Sequence, residues 1–335
     1  MSLGHRLSEQ AGLGQGDVYM RELMQQLPSY LVTSRSTNTN VKYQGYFRRF
    51  SSFMSSQNKQ SLPANSIHLA LFIVHLMNSG VSHHVIYSYI CAIKWVHNLH
   101  GFSDPTASVH VKNLLDSSKR RPKKPSQKKD VFSPDVIKSL FDKYEDSNDL
   151  LVLRDLAIII VSFTGFLRYD EMSNIKCCDV TFMNDHVKII ITKSKTDQYR
   201  DGNEILLSRI NSSACPVKAL KKYLSLSGLS LSSQDYLFRG VYKISNGKSG
   251  IKTKNRRFSY TRCREVILKR LKEVAPDNLN LGLHSLRASG ATAAVNSGVN
   301  DRCWRRHGRW RSDASHRYIK DSLESRMQVS QNLGL

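Results

Sequence analysis

The stretch HSLRASGATAAVNSGVNDRCWRRHGRWRSDASHRY, residues 284–318, concentrates more reactive side chains than any other part of the chain. It reads as two helices, over about 284–297 and 300–307, with a polar run behind them. His284 and Arg287 stand three apart, which puts both on one face of a helical turn, where they can bind one anion together. A cluster of arginine, histidine and tryptophan follows, and Tyr318, the last tyrosine of the sequence, closes the stretch. A tyrosine among so many cations is a candidate nucleophile, because nearby positive charge favours its phenolate.

The rest of the chain shares that charge. Fifty lysines and arginines oppose 27 acids, for a net charge of +23. An excess of this size points to a polyanionic partner, nucleic acid above all, since the electrostatic attraction of phosphates supplies most non-specific DNA affinity. A membrane surface fits less well, because no lipidation motif or basic amphipathic terminus is present. No apolar run approaches the roughly 18 residues of a membrane span. The longest candidate, 150–166, is broken by Arg154 and Asp155 and reads as a buried helix. The opening MSLGHRLSEQ lacks an apolar signal core, so a protein that is not secreted is expected. Six cysteines are scattered without a C-x-x-C pair, which argues against a zinc ribbon or a disulfide framework and for reduced thiols.

At 335 residues the chain exceeds a usual single core, so two domains are expected. Residues 1–20 look poorly ordered, being rich in Gly and Ser. The segment 21–118 is helical in pattern, with capping residues at Ser36–Thr39, an aromatic stripe at Tyr43, Tyr46, Phe47, Phe50 and Phe53, and a second helix capped by Ser66. The run KRRPKKPSQKKD, 119–130, has seven cations in its first eleven positions and two prolines. It reads as a solvated interdomain linker, unable to hold a stable helix. Its Lys119, Arg120, Arg121, Lys123 and Lys124 are candidate DNA-backbone contacts, and the same charge would serve as a nuclear localisation signal.

A second domain, 131–335, opens at Ser133-Pro134, a cap followed by proline at the first helical position. Helices are expected near 134–144, 150–165, 215–226 and 258–275. Two short aliphatic runs, 187–192 and 204–207, flank a polar loop and read as a hairpin. The fold class is therefore mainly α with a small antiparallel β-sheet.

Two upstream signals join the opening stretch. In TGFLRYDEM, 164–172, Gly165 permits a tight approach and Arg168 precedes Glu171 by three. As a surface ion pair this would contribute a few tenths of a kcal/mol. At the end of so apolar a helix, however, Arg168 should be partly buried and seek a bidentate anion. The hairpin loop adds Lys193, Lys195 and Arg200.

In that order these motifs resemble the tyrosine recombinase (phage integrase) family over about residues 130–320. TGFLRYDE resembles its first-arginine box, T-G-L-R-x-x-E, with one residue more between Gly and Arg. SKTDQ, 194–198, lies where the family has its hairpin lysine. HSLR is similar to the H-x-L-R box, and HGRWRSDASHRY to the last box with its nucleophilic tyrosine. The helical 21–118 region is similar in layout to the family's core-binding domain. The wording around SKTDQ and GRW…RYI resembles recombinases of eukaryotic mobile elements of DIRS-like and Crypton type.

The resemblance implies DNA cleavage and rejoining through a covalent 3′-phosphotyrosine, on double-stranded DNA, by a homo-oligomer (a tetramer), without metal or other cofactor. It implies Arg168 and Arg287 as a phosphate clamp, His284 as a hydrogen-bond donor or proton handler, Lys195 as general acid, Trp310 as a donor or packing partner, and Tyr318 as nucleophile. Glu171 would orient Arg168 or its helix. His307 is an alternative to Trp310, and Lys193 to Lys195. The chemistry agrees: two guanidiniums can hold the charge that builds on the non-bridging oxygens of a phosphodiester in flight. A basic tether between two domains suggests a clamp closing on the duplex. The tail, with Ile319, Leu323 and Met327 at four-residue steps, either packs on its own domain or docks on a neighbouring protomer. Alternative functions are a type IB topoisomerase-like nicking-closing enzyme and a domesticated DNA-binding protein without catalysis. Localisation is expected to be nuclear in a eukaryote and cytoplasmic otherwise.

Overall fold

The computed structural model describes residues 3–12, 17–122, 128–192, 203–243 and 249–333. Internal contacts divide the chain into two units, Met1–Ser126 and Gln127–Leu335.

Among the described residues the regular elements of the first unit are helices: α1 (Leu3–Ala11), α2 (Val18–Thr33), α3 (Thr37–Ser56), α4 (Ser66–Asn78), α5 (His83–Leu99) and α6 (Val109–Arg120). The aromatic stripe of α3 points inward. Phe50 meets Phe72 of α4 edge-on at 5.1 Å, and Tyr46 meets Tyr89 of α5 at 4.5 Å. Leu69, Ile73, Ile86, Ile93 and Val111 complete this core. Ser36 caps α3, accepting from the Thr39 N–H, whereas α4 is capped by Asn65 and not by Ser66. The Asn65 amide oxygen accepts from both Ile67 N–H and His68 N–H, at 2.8 and 3.4 Å.

Two further expectations for this unit change. The stretch 1–20 contains α1 and the start of α2 rather than being without structure. Arg6 of α1 lies over the Phe102 ring, 3.2 Å from its centroid, and donates to the His100 carbonyl at 2.7 Å. Composition cannot show a contact made 94 residues away. Lys119 and Arg120 belong to α6 and form its last turn, where cations favour the exposed carbonyl end of a helix. The helix stops at Arg121, whose extended backbone suits the residue before Pro122 and whose guanidinium donates to the Met77 carbonyl.

The second unit comprises α7 (Pro134–Lys143), α8 (Leu150–Thr164), α9 (Tyr169–Asn174), β1 (Val180–Phe182), β2 (His186–Ile191), β3 (Asn203–Ser208), α10 (Pro216–Ser227), β4 (Val241–Lys243), β5 (Ser249–Ile251), α11 (Tyr260–Lys272), α12 (Leu283–Asn296), α13 (Asp301–His307) and α14 (Leu323–Gln331). α8 is buried on almost every side, and α10, α11 and α12 pack around it. It tolerates Arg154 and Asp155 because they pair at 2.7 Å and Arg154 stacks over Phe258 at 4.3 Å.

β1, β2 and β3 form an antiparallel sheet in that order, with Val187 opposite Leu207 and Ile189 opposite Ile205. Their inward side chains carry the period-two signal that marks the hairpin. β1, β4 and β5 have three residues each, too few to show a period. The mainly α fold with small antiparallel sheets is as the sequence implies. α14 buries none of its residues, so it is not part of its own unit's core.

Candidate active site

Glu171 is the centre about which the site is built. It occupies the third position of α9 and reaches back to its start, accepting from the Arg168 N–H at 2.9 Å and from Arg168 Nη1 at 2.6 Å. The T-G-F-L-R turn that delivers Arg168 is tight. A Cβ on Gly165 would lie 2.7 Å from Ile205 Cδ1 and 2.8 Å from the Val161 carbonyl oxygen. Phe166, the additional residue of the box, takes up the slack with a left-handed φ of 47°. That conformation costs about 1–2 kcal/mol for a non-glycine residue. Its ring packs with Ala291, Trp304 and Trp310, and its carbonyl turns inward.

Arg287 comes from α12, which approaches α8 closely because position 290 is glycine. A Cβ there would sit 2.0 Å from the Phe163 carbonyl oxygen. Ser289 Oγ on the same helix accepts from the Phe132 N–H at 2.9 Å. The Arg287 side chain is 0% exposed. It donates to the Phe166 carbonyl and, at 2.6 Å, to the Gly308 carbonyl, and lies 3.6 Å from Glu171. His284 and Arg287 both approach the Tyr318 ring but differ in depth. His284 is exposed on the first turn of α12, while Arg287 is sealed beneath the site. Three residues advance a helix by about 300°, so neighbours on one face still differ by about 60°, enough to separate rim from floor.

Trp310 folds back over Gly308, where a Cβ would fall 1.7 Å from the indole ring. Its ring covers the Arg287 guanidinium at 4.1 Å. Tyr318 ends a short 3-10 turn, 313–318, and its ring lies 5.3 Å from Trp310, 4.9 Å from His284 and 5.6 Å from the Arg287 guanidinium. Thr292 of α12 ties the tyrosine segment down: its hydroxyl donates to the Tyr318 carbonyl at 3.2 Å and accepts from the Lys320 N–H at 3.3 Å. His307 is placed differently. Its Nε2 donates to the Thr164 carbonyl at 2.7 Å, and its ring meets Phe166 edge-on at 4.8 Å.

One central residue carried no signal of its own in the sequence. Arg309, between Gly308 and Trp310, adopts a left-handed φ of 57° and buries its guanidinium against Glu171 at 2.9 Å. It also donates to the carbonyls of Gly165, Phe166 and His307. Three arginines therefore surround one carboxylate. Burial works to raise the Glu171 carboxyl, but Arg309, the Arg168 N–H, Arg168 and Arg287 together hold it below the usual carboxylate range. Burial first, and then repulsion from Arg168, push the Arg287 guanidinium down to about 9, so it stays cationic at neutral pH. Burial likewise lowers His307. Among the described residues, the buried Nε–H groups of Arg287 and Trp310 meet no acceptor. Orphaned buried donors are rare, and these two lie beside the Tyr318 ring.

Lys193 and Lys195 lie outside the described residues, as do Lys123 and Lys124. Lys119, Arg120 and Arg121 are exposed at the end of α6. Among the described residues no three His, Cys, Asp or Glu side chains gather as a metal site, and no helix is long and apolar enough to cross a membrane.

Residues 130–323 match the model of the phage integrase family. The integrase/recombinase xerD homolog of Selenomonas ruminantium is 25% identical over 308 residues, covering 89% of this chain and 87% of that protein. Among solved structures, the XerH site-specific recombinase in a post-cleavage complex with a palindromic difH substrate has a TM-score of 0.59 at 17% identity, covering 89% of this chain and 78% of the other. The Tn1549 transposon integrase in complex with transposon right-end DNA has a TM-score of 0.55 at 12% identity, covering 100% of each chain. At these identities the structural likeness speaks for the fold.

Proposed function

The chain belongs to the phage integrase family of tyrosine recombinases, and from that membership we propose that it cleaves and rejoins duplex DNA through a covalent bond to Tyr318. The observation that carries this is the convergence on Tyr318 of His284 and Arg287 from α12 and of Trp310 from the segment after α13, within 5.6 Å. The phenolic oxygen of Tyr318 attacks the scissile phosphorus and the bond from phosphorus to the 5′ oxygen breaks. The 3′ end is left esterified to the tyrosine. His284 takes up the phenolic proton, and Lys195 protonates the departing 5′ oxygen. Rejoining is the reverse, with a 5′ hydroxyl as attacking group.

Arg168 and Arg287 hold the non-bridging oxygens, and the indole N–H of Trp310 adds a donor. Arg168, with 18% of its side chain exposed, is the more open of the two arginines. Arg287 lies beneath Trp310 with its Nε–H meeting no acceptor among the described residues. Glu171 keeps both guanidiniums in place, so the charge that stabilises the transition state is organised before DNA arrives.

Elsewhere in the same unit a cavity of about 600 Å³ is lined by Lys252, Lys254, Arg256, Arg257, Arg262 and Lys269 among others, and we assign it to the DNA backbone, with the cations of 119–130 as further contacts. The apolar side chains of α14, exposed at Leu323, Met327 and Val329, dock on a neighbouring protomer in a tetramer on DNA. The substrate is the end of a mobile element of the DIRS-like or Crypton kind, and in a eukaryote the 119–130 cations also direct nuclear import.

The test is covalent capture. The purified protein, mixed with a pool of nicked suicide duplexes, should yield a protein–DNA adduct whose DNA can be sequenced. Tyr318→Phe should bind the recovered duplex and yield none; an adduct with that variant would overturn the assignment.

A further inference from the structure

We propose that the arginine-rich pocket behind Trp310 holds a second DNA phosphate, the one adjoining the phosphate attacked by Tyr318. This rests on the reading of Tyr318 as nucleophile and extends it from one phosphate to two. The pocket has a volume of about 420 Å³ and is lined by Arg302, Arg305, Arg306, Arg309, Arg311 and Trp310, with Asn203 and Asp301. That volume lies within the range of ligand pockets, about 300–1,000 Å³.

The helix α13 explains the clustering. Trp304 turns inward and is buried. Arg302, Arg305 and Arg306, at steps of three and four from Arg302, fall on the opposite side, and Arg309 joins them from the turn that follows the helix. Not all of this charge is available. Arg305 is balanced by Asp301 at 3.4 Å and Asp313 at 3.0 Å, and Arg309 is committed to Glu171. Arg302 and Arg306 are exposed, and neither pairs with a carboxylate among the described residues. Two uncompensated guanidiniums in one concave site match a phosphodiester, which offers two charged oxygens to planar donors.

The position of the pocket makes the ligand a neighbour of the scissile phosphate. Arg309 and Trp310 line it, and they are also walls of the site, one bound to Glu171 and the other covering Arg287. Asn203, the first residue of β3, completes the lining. A strand whose scissile phosphate reaches Arg168 and Tyr318 thus passes its next phosphate along this wall. The pocket would fix the strand's direction across the site, which a single clamped phosphate leaves free to swivel.

Two measurements on the full chain test this. The first is the salt dependence of binding to a short duplex of arbitrary sequence. The double variant R302A/R306A should lower the slope of log affinity against log salt by about 0.9, the loss of one phosphate contact. R302K/R306K should restore it, because the charge returns. The second uses the duplex recovered by covalent capture, with each phosphate around the cut replaced in turn by a neutral methylphosphonate. Wild type should lose adduct about tenfold at one phosphate adjoining the cut, and R302A/R306A should show no further loss there. A wild-type salt slope in R302A/R306A, or an unchanged scan, overturns the proposal. An acidic protein segment as the true occupant would give the unchanged slope. Failure of wild type to form any adduct would instead strike the reading of Tyr318, and the salt slope would still decide for or against the pocket.

Discussion

Arg309 and Glu171 meet at 2.9 Å with only 2% and 1% of their side chains exposed. Arg168 and Arg287 share the same carboxylate from two other segments. A carboxylate so placed is worth little as a stabilising pair in itself, but removing one partner strands a buried charge. Its role is to hold several cations at distances they would otherwise refuse.

Arg309→Ala should therefore destabilise the second unit by about 3–5 kcal/mol, as for other broken buried pairs. Denaturant unfolding of the full chain in a Trp95→Phe background, followed by the fluorescence of Trp304 and Trp310, reads this. A loss below about 1 kcal/mol, the scale of an exposed pair, would show that Arg309 does not anchor the cluster.

Gly290→Ala should be at least as harmful although it adds one methyl group. That methyl would lie 2.0 Å from the Phe163 carbonyl oxygen, a backbone atom that cannot rotate away. α12 must then move off α8, and Arg287 with it, away from the Phe166 carbonyl. Covalent capture should fall by orders of magnitude, and the melting temperature should drop. Wild-type behaviour in both would refute the close contact.

Trp310→Phe separates packing from hydrogen bonding. The ring remains over Arg287, but the buried N–H that meets no acceptor among the described residues is gone. If that N–H serves the phosphate, single-turnover cleavage should fall by about 10²–10³, the usual cost of one transition-state donor, with DNA binding nearly unchanged. Equal rates would reduce Trp310 to a packing residue.

His97, in the first unit, gives a pH-dependent stability. Its ring is buried, with Nδ1 donating to the Ile93 carbonyl at 2.7 Å and Nε2 accepting from the Ala64 N–H at 2.9 Å. Burial lowers its pKa, opposed by the Ile93 bond and by Asp104, with His100 adding repulsion. The unfolded chain therefore takes up the proton more readily, and the contribution is complete above about pH 6.5 and lost as pH falls through the lower folded value. Protection of the Ala64 amide, its exchange rate taken relative to the free-amide rate at each pH, should fall below about pH 6.5 in wild type and lose most of that dependence in His97→Gln. The same pH profile in both proteins would remove His97 as the cause.

Much of the site was legible because its partners are close in the chain. Arg168 and Glu171 are three residues apart, and their pairing follows from the helical turn that α9 begins. The order of Arg168, His284, Arg287, Trp310 and Tyr318 was also readable, since each sits in a short motif with its own composition. The aromatic stripe of α3 and the alternation in β2 and β3 likewise announced themselves through their periods.

What the chain could not announce is which groups meet across long separations. Arg309 finds Glu171 over 138 positions and Arg287 finds the Phe166 carbonyl over 121. Between His307 and Trp310 the sequence leaves both open. In the fold, His307 is turned onto the Thr164 carbonyl, and Trp310 lies between Arg287 and Tyr318. The amino-acid sequence by itself determined the helical periods, the basic charge and the residue types gathered in each motif, because these depend on neighbours within a few positions. Tertiary structure alone decided which arginine is sealed, which is open and which binds the central carboxylate. Those outcomes depend on how closely α12 can approach α8, and that distance is set by a missing side chain at Gly290.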